Sequence, residues 1–193
     1  MKTTTALATV LLAACATGTG ALAAPTPASP TYFYEDGVKR QVTLVPDLVL
    51  SLDAAAQSAL QAELPKAELV RTAGTTTLLR APPAEAAQVL TKLRTAKHKV
   101  SQVYREGGTA VGRLMALPGG VVVQLKPDWT EAQVAAWAAE RKLPLEQHLP
   151  ITGNWYVVGT APGEASLATA NALQESGTVV SATPNWWKEA SLK

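Results

Sequence analysis

The strongest constraint on this chain is that its pattern of apolar runs and helix signals occurs twice. From Asp47, an apolar strand (Asp47–Leu52) leads into an Ala-rich helical stretch that stops at Pro65. A second strand, a third (Thr76–Ala81), another helix and a last strand (Lys99–Tyr104) follow. From Gly120 the order recurs: Val121–Leu125, a helix ending at Pro144, Leu145–Pro150, Trp155–Thr160, a helix ending at Gly177, then Val179–Thr183. The offset grows from roughly 73 to 79 residues, which fits a drifted duplication and not a solenoid period. Helices alternating with strands, two per unit, predict an α+β chain of two ferredoxin-like β-α-β-β-α-β units. Each unit is expected to be a four-stranded antiparallel sheet with both helices on one face and the other face bare.

Local signals support these elements. Asp53 can cap a helix that places Ala56, Ala59, Leu60 and Leu64 on one face, with Pro65 as its stop. Pro82-Pro83 opens the second helix, in which Ala86, Leu90 and Leu93 recur at helical spacing, and Arg94 and Lys97 near its end suit the helix dipole. Thr130 with Gln133 has capping-box form, and Val134, Trp137, Ala138 and Arg141 follow at i, i+3, i+4 and i+7. Leu167, Ala170 and Leu173 share a face of the last helix, and Gly177 supplies a left-handed cap.

Residues 1–23 read as a signal peptide: Lys2, an apolar Ala6–Ala16, and Ala21-Leu22-Ala23 before the cut. The apolar run is too short for a membrane span. Leu12-Ala13-Ala14-Cys15 also has the form of a lipobox, which would lipidate Cys15 and give the only membrane contact. On either reading the chain is periplasmic or secreted. Cys15 is the single cysteine, so a chain cut after Ala23 has no disulfide, no thiol chemistry and no cysteine-bound metal. The net charge of +2 falls to +1 without Lys2, and bases are interspersed with acids, so no nucleic-acid surface is expected.

Residues 24–46 form an arm: a Pro-rich lead-in with Pro25, Pro27 and Pro30, then a hairpin of Tyr32–Tyr34 and Val38–Val45 around Asp36-Gly37. Residues 47–105 make the first unit and 120–193 the second, with its tail. Residues 106–119 are a glycine-rich linker in which Val111–Leu117 can add an edge strand.

Catalytic chemistry is thinly represented, and the chain is expected not to be an enzyme. His98 lies in the basic run Lys97-His98-Lys99 and reads as a solvated turn residue; His148 sits alone in a strand and faces either side. Metal ligands come in clusters, and none is visible, so neither metal nor cofactor is expected. No Gly-x-Ser-x-Gly elbow, phosphate loop or His-Glu-x-x-His run occurs. Of five tryptophans, Trp137 falls on an apolar helix face, Trp155 reads as core or inter-sheet, and Trp129 as a staple beside Thr130. Trp186-Trp187, after Pro184-Asn185, either packs back on the sheet or anchors an interface.

These residues resemble a family. Gly120-Val-Val-Val-Gln-Leu-Lys-Pro127, the Thr130 helix, Trp155-Tyr-Val-Val158, the Leu167–Leu173 helix and the stretch from Val179 to Thr-Pro-Asn-Trp-Trp187 look like the N-terminal propeptide domains of subtilisin-like serine proteases. The second unit matches along its length, the first by order and spacing alone. In that family a catalytic domain follows, whereas here no catalytic Asp, His or Ser motif of a subtilisin is present. A free-standing copy resembles the propeptide-like inhibitors and external chaperones of secreted subtilisin- or kexin-like serine proteases. The resemblance implies binding of such a protease in trans, as folding chaperone, inhibitor or both. The open sheet face would pack on the protease, with Pro184 and Asn185 positioning the tail. The protease-binding tail would comprise Trp186 and Trp187 as anchors, followed by Lys188, Glu189, Ala190, Ser191, Leu192 and Lys193 extended in the cleft, with Lys193 filling the primary pocket and Leu192 the next. The competing reading is a periplasmic or lipid-anchored binding or adaptor protein with no protease target.

Overall fold

The computed structural model describes residues 31–190. The expected signal segment with Cys15, the Pro-rich lead-in up to Pro30 and the last three residues (Ser191, Leu192 and Lys193) lie outside the described residues. The fold is α+β, with four helices and two antiparallel sheets among the described residues.

Strands β1 (Thr31–Glu35) and β2 (Val38–Ser51) form the expected hairpin. Asp36 and Gly37 both take positive φ, as a tight two-residue hairpin turn requires. The arm and the first unit are not separate, however, because β2 continues through residue 46 and on into the unit. Pro46 has no N–H for the ladder, and the register with the neighbouring strand shifts between Val45 and Val49. The strand therefore bulges at the proline instead of ending there.

Helix α1 (Ala54–Glu63) starts where Asp53 Oδ1 accepts from Ala56 N at 2.7 Å. Strands β3 (Glu68–Ala73) and β4 (Thr76–Arg80), helix α2 (Pro83–Thr95) and strand β5 (Val100–Glu106) complete the first unit. The linker contributes β6 (Leu114–Ala116). The second unit runs β7 (Val121–Leu125), α3 (Glu131–Glu140), β8 (Leu145–His148), β9 (Asn154–Val158), α4 (Glu164–Glu175) and β10 (Ser181–Pro184). Thr130 and Gln133 close a reciprocal capping box on α3, and a final short strand, β11 (Trp187–Lys188), follows β10.

The second sheet has the order β10-β7-β9-β8. The first has β11-β6-β5-β2-β4-β3, with β1 also paired to β2. Within each unit the strands therefore stand fourth, first, third, second across the sheet. In the first unit, Ala56, Leu60, Ala86, Leu90 and Leu93 of the helices pack on Val49, Leu79 and Val100. In the second, Val134, Trp137, Ala170 and Leu173 cover Val121, Val123, Tyr156 and Val158. Removing each of the larger of these side chains from water contributes about 1.5–3 kcal/mol.

The bare face expected for the first sheet is absent. Leu48, Leu50, Leu78, Val103 and Ala116 are buried on the side away from α1 and α2, with Trp187 packed against them. The sheet curls until its two edges meet: Arg71 of β3 and Glu189, just beyond β11, form a 2.6 Å ion pair. The apolar second face lines the inside of that curl.

Helix α4 serves both units. Its Leu167 packs with Phe33, Tyr104, Met115 and Leu117 of the first sheet and its extension. The Tyr32 and Tyr34 hydroxyls both donate to Glu175 Oε1, and Asn171 Nδ2 donates to the Tyr32 carbonyl. Tyr104 is nearly inaccessible to solvent, and burial pushes its phenol up to about 12, against the lowering effect of the Gln102 amide that donates to it. A raised tyrosine pKa stabilises the fold while the phenol is neutral. That contribution is complete below pH 10 and disappears as the pH climbs toward 12. Urea unfolding should thus lose about 2–3 kcal/mol of stability between these limits, and Tyr104→Phe should remove most of that alkaline slope.

Candidate binding surfaces

The tail departs from expectation most sharply. Pro184 ends β10 opposite Val121, and Asn185 holds both neighbouring glycines: its N–H donates to the Gly120 carbonyl and its Nδ2 to the Gly119 carbonyl. The chain then crosses from the second sheet to the first. Trp186 meets Phe33 and Tyr104 edge-on, with ring centroids 5.1 and 5.8 Å away. Trp187 and Lys188 pair with Ala116 and Met115 of β6, and Glu189 N donates to the Leu114 carbonyl. Lys188 Nζ reaches Glu35 at 3.0 Å. Residues 186–189 are thus built into the first sheet and Ala190 lies at its edge, so this part of the tail is not a free strand. The physical reason is the edge left open by β6: its unpaired backbone and the apolar side chains of the curl are satisfied by the chain's own end.

The second sheet keeps the open face that its alternation predicts. Half-buried Val122, Gln124 and Trp155 and the buried Val157 point away from α3 and α4, joined by half-buried Ser181 and Thr183. Trp155 is half-buried here, not in the core. No helix or strand of the first unit packs broadly across β7, β8 or β9 among the described residues. Strand β8 is the free edge of this sheet and is exposed along its length. Its register shifts between Leu145 and Gln147, a bulge that makes continuous pairing with another strand harder.

The remaining sequence candidates scatter. His148 stacks on Tyr156 at 4.6 Å, close to parallel, and belongs to no cluster of metal-ligating side chains. His98 lies in the turn after α2 as expected, but it is half-buried and not fully solvated. Trp137 is core, and Trp129 packs at the margin of the second core. No group of three His, Cys, Asp or Glu side chains able to hold a metal occurs among the described residues. Val122, Gln124 and Val157 lie within apolar runs, and only their alternation with Val121, Val123 and Val158 separates face from core.

No protein-family model matches the chain, no curated protein is detectably similar, and no solved structure matches it. The propeptide resemblance thus rests on the residues of the second unit themselves.

Trp186 gives a direct check on the tail. Replacing it with alanine should cost about 3 kcal/mol in urea unfolding, the range for losing a large aromatic from a packed site. The variant should also lose its carboxy-terminal residues to carboxypeptidase faster than the parent.

Proposed function

We propose that this chain is an exported, non-catalytic binding protein that engages a subtilisin-like serine protease in trans. On this reading the two halves are ferredoxin-like duplicates, and the second is the propeptide-like module. The observation that carries the proposal is the helix-free face of β7–β10, where half-buried Val122 and Trp155 stand among Gln124, Ser181 and Thr183. Such a mixture of apolar and short polar groups suits contact with a partner that is also soluble alone.

Size limits how that face can act. Four strands of about five residues span roughly 14 by 16 Å, well short of the ~800 Å² per partner of a typical protease–inhibitor interface. The face is then the centre of the contact, and the exposed β8 edge with neighbouring loops supplies the rim. Because residues 186–189 are committed to the first sheet, that stretch does not enter the catalytic cleft, and the grip comes from outside it. A partner held by its surface helices can be helped to fold without its active site being filled. The reading therefore favours the chaperone role over inhibition by an inserted tail.

Co-expression with a secreted subtilisin-like protease of the same organism tests this. Active protease should appear at a yield about tenfold higher with the chain present. Paired Val122→Glu and Trp155→Ala substitutions should abolish the gain while circular dichroism shows an intact fold, since a buried, unpaired interfacial charge alone costs several kcal/mol. Equal protease yield with and without the chain overturns the proposal.

A further inference from the structure

A second surface, independent of the protease reading, lies where the two units meet. A cleft of about 620 Å³ opens there, within the range of small-ligand and peptide sites. One wall is basic: Arg94, Lys97, His98 and Lys99 all line it. The geometry of the α2 terminus puts them there. Lys97 takes a positive φ of 63°, His98 N donates to the Leu93 carbonyl and Lys97 N to the Arg94 carbonyl. This is a left-handed helix stop made with lysine where glycine is usual, and it folds the basic run back over the helix end.

Arg94 is fixed at the seam by both units. Its guanidinium donates to Gln102 Oε1 in the first unit and lies against the Gly163 backbone of the second. A Cβ at Gly163 would stand 2.7 Å from Nη2, so a larger residue would push the guanidinium aside, and the positive φ of 88° itself favours glycine there. Arg94, Lys97 and Lys99 take part in none of the ion pairs among the described residues. Glu146 is the one carboxylate among the residues that line the cleft, and Glu164, outside that lining, acts on the Arg94 guanidinium as well.

The rest of the lining narrows the ligand. Leu52 and Trp187 give an apolar floor, while Thr76 and the Asn185 side-chain carbonyl offer short polar groups suited to a peptide backbone; the Thr160 hydroxyl is already bonded to Gly120 N and the Ala161 carbonyl. Lysines act as point charges and not as two-pronged forks, and the carbonyl end of α2 softens the local field. That favours several separated carboxylates over one compact, highly charged phosphate. We propose that this cleft receives an extended acidic peptide segment, its carboxylates on Arg94, Lys97 and Lys99 and one apolar side chain over Trp187 and Leu52.

Calorimetric titration of the whole chain with the blocked hexapeptide Asp-Asp-Phe-Glu-Glu-Asp tests the assignment. The acidic peptide should bind, its lysine counterpart Lys-Lys-Phe-Lys-Lys-Lys should not, and added salt should weaken binding. The double variant Lys97→Gln, Lys99→Gln alters two surface side chains and should reduce affinity about tenfold or more without unfolding the protein. Replacing the peptide's Phe with Ala should weaken binding by about fivefold, the scale of losing a buried apolar contact. No heat up to millimolar peptide at low salt overturns the proposal, as does affinity unchanged in the double variant. Citrate binding as tightly as the peptide overturns it too, because it leaves no role for the apolar floor or the polar rim.

Discussion

One crossing of the chain holds this molecule together: the step from β10 in the second sheet to β11 in the first, with Trp186 between them. Its indole sits edge-on to Phe33 of the hairpin and Tyr104 of β5, in the same cluster that takes Leu167 from α4. Hairpin, first unit and second unit therefore share one aromatic contact. The contact has an internal cost, because the Trp186 indole N–H is buried without a partner. Such an orphan donor costs about 1–3 kcal/mol, which two edge-on aromatic pairs at about 0.5–1.5 kcal/mol each largely offset, before any burial is counted.

From that crossing follows the shape of the first sheet. Trp187 enters beside Leu50 and Leu78, and Glu189 closes on Arg71. The ion pair is half-exposed and contributes under about 1 kcal/mol by itself. Burial of the apolar face outweighs it, and the curl is how a sheet with apolar residues on both sides hides the second one. The second sheet faces no such demand. Its outward positions include Gln124, Ser181 and Thr183, so it tolerates water on that side. Surfaces for binding are thus distributed by what the tail uses up. The curl of the first unit is closed, while the open face of the second and the basic cleft at the seam are left.

Much of this was legible in the sequence because the signals were local. The caps at Asp53 and Thr130, the Pro82-Pro83 helix start, the Asp36-Gly37 turn and an added strand just before Leu117 each depend on neighbours within a few residues, although that strand proves to be flanked on both sides and not an edge. What stayed hidden depends on distant pairing. That β2 spans Pro46 is decided by β5 on one side, since Val42–Val45 and Val49–Ser51 both find partners there. The fate of Trp186 is decided by Phe33 and Tyr104, far away along the chain. An apolar run such as Leu48-Val49-Leu50 does not say which of its faces a curl will cover. Taken alone, Leu48, Leu50 and Leu78 look like one side of an ordinary strand pair. The basic run at Lys97–Lys99 read as a solvated turn because its opposing wall, from Glu146 to Asn185, belongs to the other unit.

The central claim is a division of labour: the described tail is structure, and the helix-free face of the second sheet is the working surface. Hydrogen exchange on the chain alone and in complex with an inactive subtilisin-like protease separates the two. The account predicts that amides of β7, β8 and β9 gain protection on binding, while those of Trp187, Lys188 and Glu189 are protected in the free chain and stay so. Loss of protection at residues 187–189 on complex formation, with the second sheet unchanged, would contradict it.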